Sequence, residues 1–173
     1  AIVKLYREKN HKIVGLWRKC DHMLKNILSG REYAIGPVTA NGAGIWLPSG
    51  LCIEYPELRM TTSGFEYIND VRQFRKNLAN DPNVSWTNIY GGKVVENIVQ
   101  ALAAIVIREQ SVAIGKRLHV VFQVHDEIVS VVPTEQAHEA EQYVVSCMST
   151  PPVWAPDLPV ACESGFADNY GDT

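Results

Sequence analysis

Apolar residues recur at helical spacing from the start of the chain. Ile2, Leu5, Tyr6, Ile13, Leu16, Trp17, Met23, Leu24 and Ile27 are separated by charged positions, which predicts a helix over Ala1 to Leu28. Ser29-Gly30 supplies its stop. No capping residue precedes the pattern, so the natural domain is expected to begin upstream of Ala1. Between residues 33 and 68 the apolar runs shorten. Gly36-Pro37, Asn41-Gly42 and Pro48-Ser49-Gly50 are turn punctuation, and Gly44–Leu47 and Leu51–Tyr55 flank the last of these as two arms of a hairpin. A third strand is expected from Phe65 to Val71. Asn80-Asp81-Pro82-Asn83 marks a loop, and Trp86 to Tyr90 leads into Gly91-Gly92.

After the glycine pair, Lys93 to Ser111 reads as a long helix. Val94, Val95, Ile98, Val99, Leu102, Ile105 and Val106 cover much of its circumference, as in a centrally packed helix, and Gly115 closes it. Glu96, Asn97 and Gln100 interrupt its most apolar stretch, which argues for a protein core and against a bilayer span. Leu118 to Val132 alternates between two β-branched runs around a His-Asp-Glu triplet, a hairpin with a polar tip. Thr134-Glu135-Gln136 then caps a helix running through Met148, Pro151-Pro152 breaks the chain, and Leu158 to Cys162 is expected as a last strand. The Gly/Asp/Asn-rich end reads as a tail. Together these elements predict an α+β fold: an antiparallel sheet, with the 118–132 hairpin at its centre, packed against long helices.

Composition narrows the class. In 173 residues, 46% are hydrophobic and 20% charged, so wholesale disorder is excluded. No leader pattern opens the chain, which sets the expectation of an intracellular protein. Cys20, Cys52, Cys147 and Cys162 follow neither a C-x-x-C nor a zinc spacing and read as reduced structural thiols. The net charge of −3 conceals an asymmetry: all 16 Lys and Arg lie at or before Arg117, eight of them between Lys4 and Arg31. Nine Asp and Glu follow Arg117 with no Lys or Arg among them. A basic front suits phosphates and an acidic back suits a metal, although segregated surface charge gives the same count.

Two adjacent carboxylates, Asp126 and Glu127, stand at the tip of the apolar hairpin. Held together without a counter-charge they repel, and a divalent cation with hard-oxygen preference, magnesium above all, relieves that. An exposed turn, where Asp and Glu cost nothing, fits the local pattern equally well.

Three blocks bear on that choice. Gln123-Val124-His125-Asp126-Glu127, with its flanking apolar strands, resembles motif C of family A DNA polymerases. The stretch from Tyr90-Gly91-Gly92-Lys93 through Leu102 is similar to the helix preceding motif C in the phage branch of that family. Leu47-Pro48-Ser49-Gly50 with Tyr55-Pro56 resembles that branch's insertion hairpin. The blocks occur in the family's order and cover most of the chain. The resemblance implies template-directed DNA synthesis by two-metal catalysis in a palm domain. Two Mg2+ ions would be held by one motif A aspartate and the motif C aspartate. Asp126 would be the motif C metal ligand, Glu127 would assist close to the metals, and His125 would lie near the primer terminus. Asn88, Lys93 and Gln123 would meet primer–template DNA through contacts that do not read sequence. Residues 1–30 would be a helical segment following the fingers, 31–90 an insertion and loop region, and 91–173 the palm with motif C. Deoxynucleoside triphosphates would be the substrates, no membrane would be involved, and the setting would be the cytoplasm of an infected bacterium.

The chain also departs from the family's pattern. Where many members carry a Gln four residues after the Asn entering this helix, Gly92 stands four after Asn88. Motif A and motif B are missing. Glu54 to Arg59 imitates motif A without the aspartate and with Pro56 in the strand; Arg72 and Lys76 imitate motif B without its Tyr-Gly. The second aspartate and the nucleotide-binding helix would therefore come from an upstream segment of the same chain or from a separate one. Two other readings stay open: a DNA-binding remnant or subunit without chemistry, and a phosphohydrolase using His125-Asp126. The second lacks further ligands at a useful spacing among His11, His22, His119 and His138. Trp17, Trp46, Trp86 and Trp154 are too scattered for a base-stacking platform and read as packing residues.

Overall fold

A computed structural model describes residues 2–70, 72, 76 and 85–172. The chain divides into two compact units, Ala1–Ala101 and Leu102–Thr173.

The first unit opens with two helices where one was expected, α1 (Ile2–Lys9) and α2 (His11–Ser29). The periodicity is continuous, but the Asn10 side chain donates to the Tyr6 carbonyl at 2.9 Å and its backbone leaves the helical region, with φ −108° and ψ 44°. A short amide that bonds the preceding turn competes with the helix ladder, and the helix breaks there. Gly30, at φ 68°, ends α2 where the sequence placed the stop. Its N–H reaches the Ile27 carbonyl and the Arg31 N–H reaches that of Asn26, which satisfies two terminal carbonyls.

Four short strands follow as an antiparallel meander: β1 (Tyr33–Ile35), β2 (Val38–Asn41), β3 (Gly44–Trp46) and β4 (Cys52–Ile53). The expected hairpin around Pro48-Ser49-Gly50 is β3–β4, with Ile45 opposite Ile53. Asn41 builds the preceding turn, its Oδ1 accepting from the Ala43 N–H and from Trp46 Nε1. Helix α2 packs on this sheet and buries Cys20, Met23, Leu24 and Ile27 with Val38, Ala40 and Ile45. Each of the larger side chains removed from water contributes about 1.5–3 kcal/mol.

A second sheet, β5 (Arg59–Thr61), β6 (Gly64–Ile68) and β7 (Trp86–Ile89), is antiparallel in the order β5-β6-β7. The expected third strand is thus Gly64–Ile68; Val71 and the Asn80–Asn83 loop lie outside the described residues. Arg59 pairs with Glu66 across the sheet at 2.6 Å and lies 3.4 Å from the centre of the Trp86 ring. Helix α3 (Gly91–Ile114) starts at the glycine pair and ends before Gly115. Its length and apolarity would suffice to cross a bilayer, yet it carries Lys93, Glu96, Arg108 and Glu109 and buries Val94, Ile98, Ile105 and Ile114.

The second unit holds the hairpin β8 (His119–Val124) and β9 (Glu127–Val131), followed by a 3-10 turn at Thr134–Gln136 and helix α4 (Ala137–Met148). Thr134 begins that turn and makes no side-chain cap bond, so the helix starts three residues after the expected cap. The far ends of α3 and α4 satisfy each other. Gln110, 6% exposed, donates to the Met148 carbonyl at 2.7 Å, and the Tyr143 hydroxyl donates to the Ala113 carbonyl at 2.7 Å.

Two expectations fail here. Leu158 to Cys162 is not a strand: Pro159 offers no N–H, and no described strand pairs with the segment. The end is not a loose tail either. Trp154 Nε1 donates to Glu109 at 3.1 Å, Ser164 donates to Glu141 at 2.9 Å, and Phe166 meets His138 edge-on at 4.8 Å. The segment after α4 is an irregular strap pinned along the unit, and it closes in a 3-10 turn at Tyr170–Asp172. Among the described residues β8 and β9 form a two-stranded sheet of their own, not the centre of a larger one, and Val121, Phe122, Val124 and Val131 are exposed.

Candidate active site

The β8–β9 hairpin closes tightly. Val124 faces Glu127, so His125 and Asp126 alone form the loop. His125 takes a left-handed backbone, φ 51°, which lets a two-residue loop follow the right-handed twist of its strands. A non-glycine residue held there costs about 1–2 kcal/mol, and histidine is among the residues that tolerate it best. Gln123 Nε2 donates to the His125 carbonyl at 3.1 Å and braces the turn from within. Gln123 is thereby committed to the loop, which adds to its expected role at DNA.

Register separates the two faces of the hairpin. Directly opposed residues share a face, so Phe122, Val124, Glu127 and Val129 lie on one side and Gln123 and Ile128 on the other. Between Val120 and Phe122 the register slips at a bulge, and beyond it the pairing resumes as Val120 with Ser130. On the Glu127 face lies Tyr170 from the C-terminal strap. Its hydroxyl donates to Glu127 Oε2 at 2.9 Å, and its ring meets Phe122 edge-on at 5.2 Å between centres. The hydrogen bond to the carboxylate holds the Tyr170 phenol above its ordinary value.

Asp126 and Glu127 are both exposed and offer hard oxygen donors of the kind magnesium takes, one or two carboxylates with water and substrate phosphate completing the shell. They fit part of such a site. Among the described residues, no group of three or more acidic, histidine or cysteine side chains gathers into a full set of ligands.

Asn88 and Lys93 belong to the first unit. Asn88 is exposed on β7 opposite Glu66, and Lys93, in the first turn of α3, pairs with Glu96 at 2.6 Å. A phosphate at Lys93 would compete with that carboxylate. Between Asn88 and Lys93 the chain passes a cavity of about 420 Å3 lined by Arg7, Trp17, Asp21, Tyr90, Gly91 and Gly92. Asp21 Oδ1 accepts the Gly91 N–H at 2.5 Å, which satisfies an orphan donor at the positive end of α3. Asp21 escaped sequence reasoning; the only signal was an acid at position 21 in a basic helix. Tyr170 also escaped it, although an aromatic residue in a Gly/Asp/Asn-rich end was there to see.

The imitation of motif A has a structural role. Tyr55 is buried at 6% exposure, its hydroxyl accepts from Asn97 Nδ2 at 3.1 Å, and its ring meets Tyr67 edge-on. The Arg72 N–H donates to Asp70 Oδ1 at 2.8 Å, and the Lys76 N–H reaches the Arg72 carbonyl at 3.2 Å. Trp46, Trp86 and Trp154 have the partners named above, while Trp17 stacks on Tyr6 at 6.4 Å.

Over 185 aligned positions the chain is 30% identical to the DNA polymerase of Bacillus phage SP02. The alignment takes in 98% of this chain and 26% of the phage protein, so the chain spans about a quarter of that relative's length. No protein-family model matches the chain. No solved structure matches it. The chain is distantly related to a phage DNA polymerase.

Proposed function

We propose that this chain is the motif C portion of a family A DNA polymerase palm and takes part in template-directed extension of a primer. The observation that carries this reading is the hairpin tip: a two-residue loop that presents the Asp126 and Glu127 carboxylates at the end of apolar strands. The distant relationship to a phage DNA polymerase, which runs along nearly the whole chain, supports it.

In this reading Asp126 holds magnesium, Glu127 stands beside it, and His125 lies by the primer terminus. Magnesium, when bound, would lower the pKa of the primer 3′-hydroxyl and offset charge on the transferred nucleotidyl group. The tight turn braced by Gln123 holds the backbone from which the two carboxylates project. Asn88 and the first turn of α3 offer amide and ammonium donors to a DNA backbone, which suits an enzyme that must accept every base pair. The second aspartate and the nucleotide-binding helix come from further sequence of the same protein or from a second chain. The enzyme works on primer–template DNA and deoxynucleoside triphosphates in the cytoplasm of the phage's host.

Asp126→Ala in the polymerase that carries this chain tests the reading. Primer extension should fall by about 10^3-fold or more, with DNA affinity within about twofold of the parent. Extension retained at parental rate removes the metal-ligand role, and a parent that binds DNA but never extends a primer favours a binding-only subunit.

A further inference from the structure

Tyr170 reaches the same face of the hairpin twice. Its ring packs edge-on against Phe122 at 5.2 Å and its hydroxyl donates to Glu127 Oε2 at 2.9 Å. Phe122 and Glu127 share that face because Phe122 opposes Val129 and Val124 opposes Glu127. The strap that delivers Tyr170 is held at Trp154, Ser164 and Phe166, so the contact is made by an anchored segment. Asp126 and Glu127 are consecutive, and two neighbouring carboxylates repel and compete for one cation. A donor fixed on one of them withdraws part of its charge and limits its rotamers.

Resting on the polymerase reading above, we infer that Tyr170 is a positioning residue for motif C. It tethers the Glu127 carboxylate against the hairpin and leaves Asp126 free to take the cation. The ring against Phe122 sets where the hydroxyl stands, and the hydroxyl sets where Glu127 stands. The strap's role is to carry the donor to the tip, and the hydroxyl is separable from it. Tyr170→Phe removes one oxygen and keeps the edge-on ring.

The test uses the polymerase that carries this chain, as parent, Tyr170→Phe, Glu127→Ala, the double variant and Asp126→Ala. Tyr170→Phe should lower kcat about 3- to 10-fold, with KM for deoxynucleotide within about twofold and the thermal midpoint unchanged. Without metal, deuterium uptake over residues 125–128 should rise about two- to threefold in Tyr170→Phe. In the Glu127→Ala background Tyr170→Phe should change neither turnover nor uptake, because its partner is gone. If Glu127→Ala abolishes turnover, the cycle is read on uptake alone. Unchanged kcat and uptake in Tyr170→Phe overturn the inference, as do losses that multiply in the double variant. Extension retained at parental rate in Asp126→Ala would instead remove the metal-ligand role, and a parent that never extends a primer would sink the polymerase reading, so these failures are told apart from that of the inference.

Discussion

Gly91 and Gly92 stand side by side at the start of α3, and the structure predicts opposite outcomes for replacing each with alanine. A Cβ on Gly91 would lie 1.9 Å from the Trp17 carbonyl oxygen, 2.7 Å from its carbon and 3.0 Å from the Asp21 carboxyl carbon. The first two are backbone atoms of α2, so no rotamer change relieves the overlap. Relief requires the beginning of α3 and α2 to separate by roughly 1.5 Å, against ordinary van der Waals separation. That movement breaks the Gly91 N–H bond to Asp21, a charge-assisted bond of about 1.5–3 kcal/mol, and adds a repacking cost of about 1–3 kcal/mol. Gly91→Ala should therefore destabilise the protein by about 3–5 kcal/mol, a large share of a typical stability. At Gly92 the new Cβ meets the Tyr90 ring at 3.0 and 3.4 Å and makes an ordinary van der Waals contact with Trp17 at 3.8 Å, and the Tyr90 ring is 62% exposed and free to turn aside. Helix propensity favours alanine by up to about 1 kcal/mol, so Gly92→Ala should fall within about 0.5 kcal/mol of the parent. Urea denaturation followed by tryptophan fluorescence measures both, with Trp17 at the contact itself. A Gly91→Ala midpoint close to the parent, or a Gly92→Ala loss as large as that of Gly91→Ala, would refute the close approach of α2 to the start of α3.

Alkaline pH should weaken the first unit. Burial pushes the Tyr55 phenol up to about 12, with Asn97 opposing, and burial, then Asp21, pushes the Cys20 thiol up to about 11. Both are acids that stay protonated in the folded chain after the unfolded chain has lost its proton. Their stabilising contribution is therefore full below the unfolded values of 9.0 for Cys20 and 10.0 for Tyr55, and is lost as pH rises through about 11 and about 12. For Tyr55 the two-unit shift amounts to about 2–3 kcal/mol, and Tyr55→Phe should flatten the fall in urea midpoint above pH 10; parallel curves would contradict this. In the second unit, Gln110→Leu leaves the Met148 carbonyl without its donor and should cost about 1–3 kcal/mol in thermal or urea unfolding, whereas an unchanged midpoint would mean that the bond carries no net stability.

Elements whose hydrogen bonds are local were legible in the sequence. The helix from the glycine pair to Gly115, the stop at Gly30 and the end of α4 at Met148 follow from spacing and from glycine or proline chemistry within a few residues. The hairpins around Pro48-Ser49-Gly50 and His125-Asp126 were legible for the same reason, since each strand's partner lies one turn away. The acidic tip at Asp126 and Glu127, the core of the candidate site, was thus already visible in one dimension. Tertiary structure decided what depends on distant partners. Leu158 to Cys162 has the composition of a strand, but a strand exists only where another lies beside it. Tyr55, in a segment that imitates a metal-binding motif, became a core residue because Asn97, 42 positions away, gave its hydroxyl a partner. Asp21 found the Gly91 N–H across 70 positions, and Tyr170 found Glu127 across 43. No periodicity encodes such pairs. They are set when separately specified elements pack, and packing must find a partner for every polar group it removes from water.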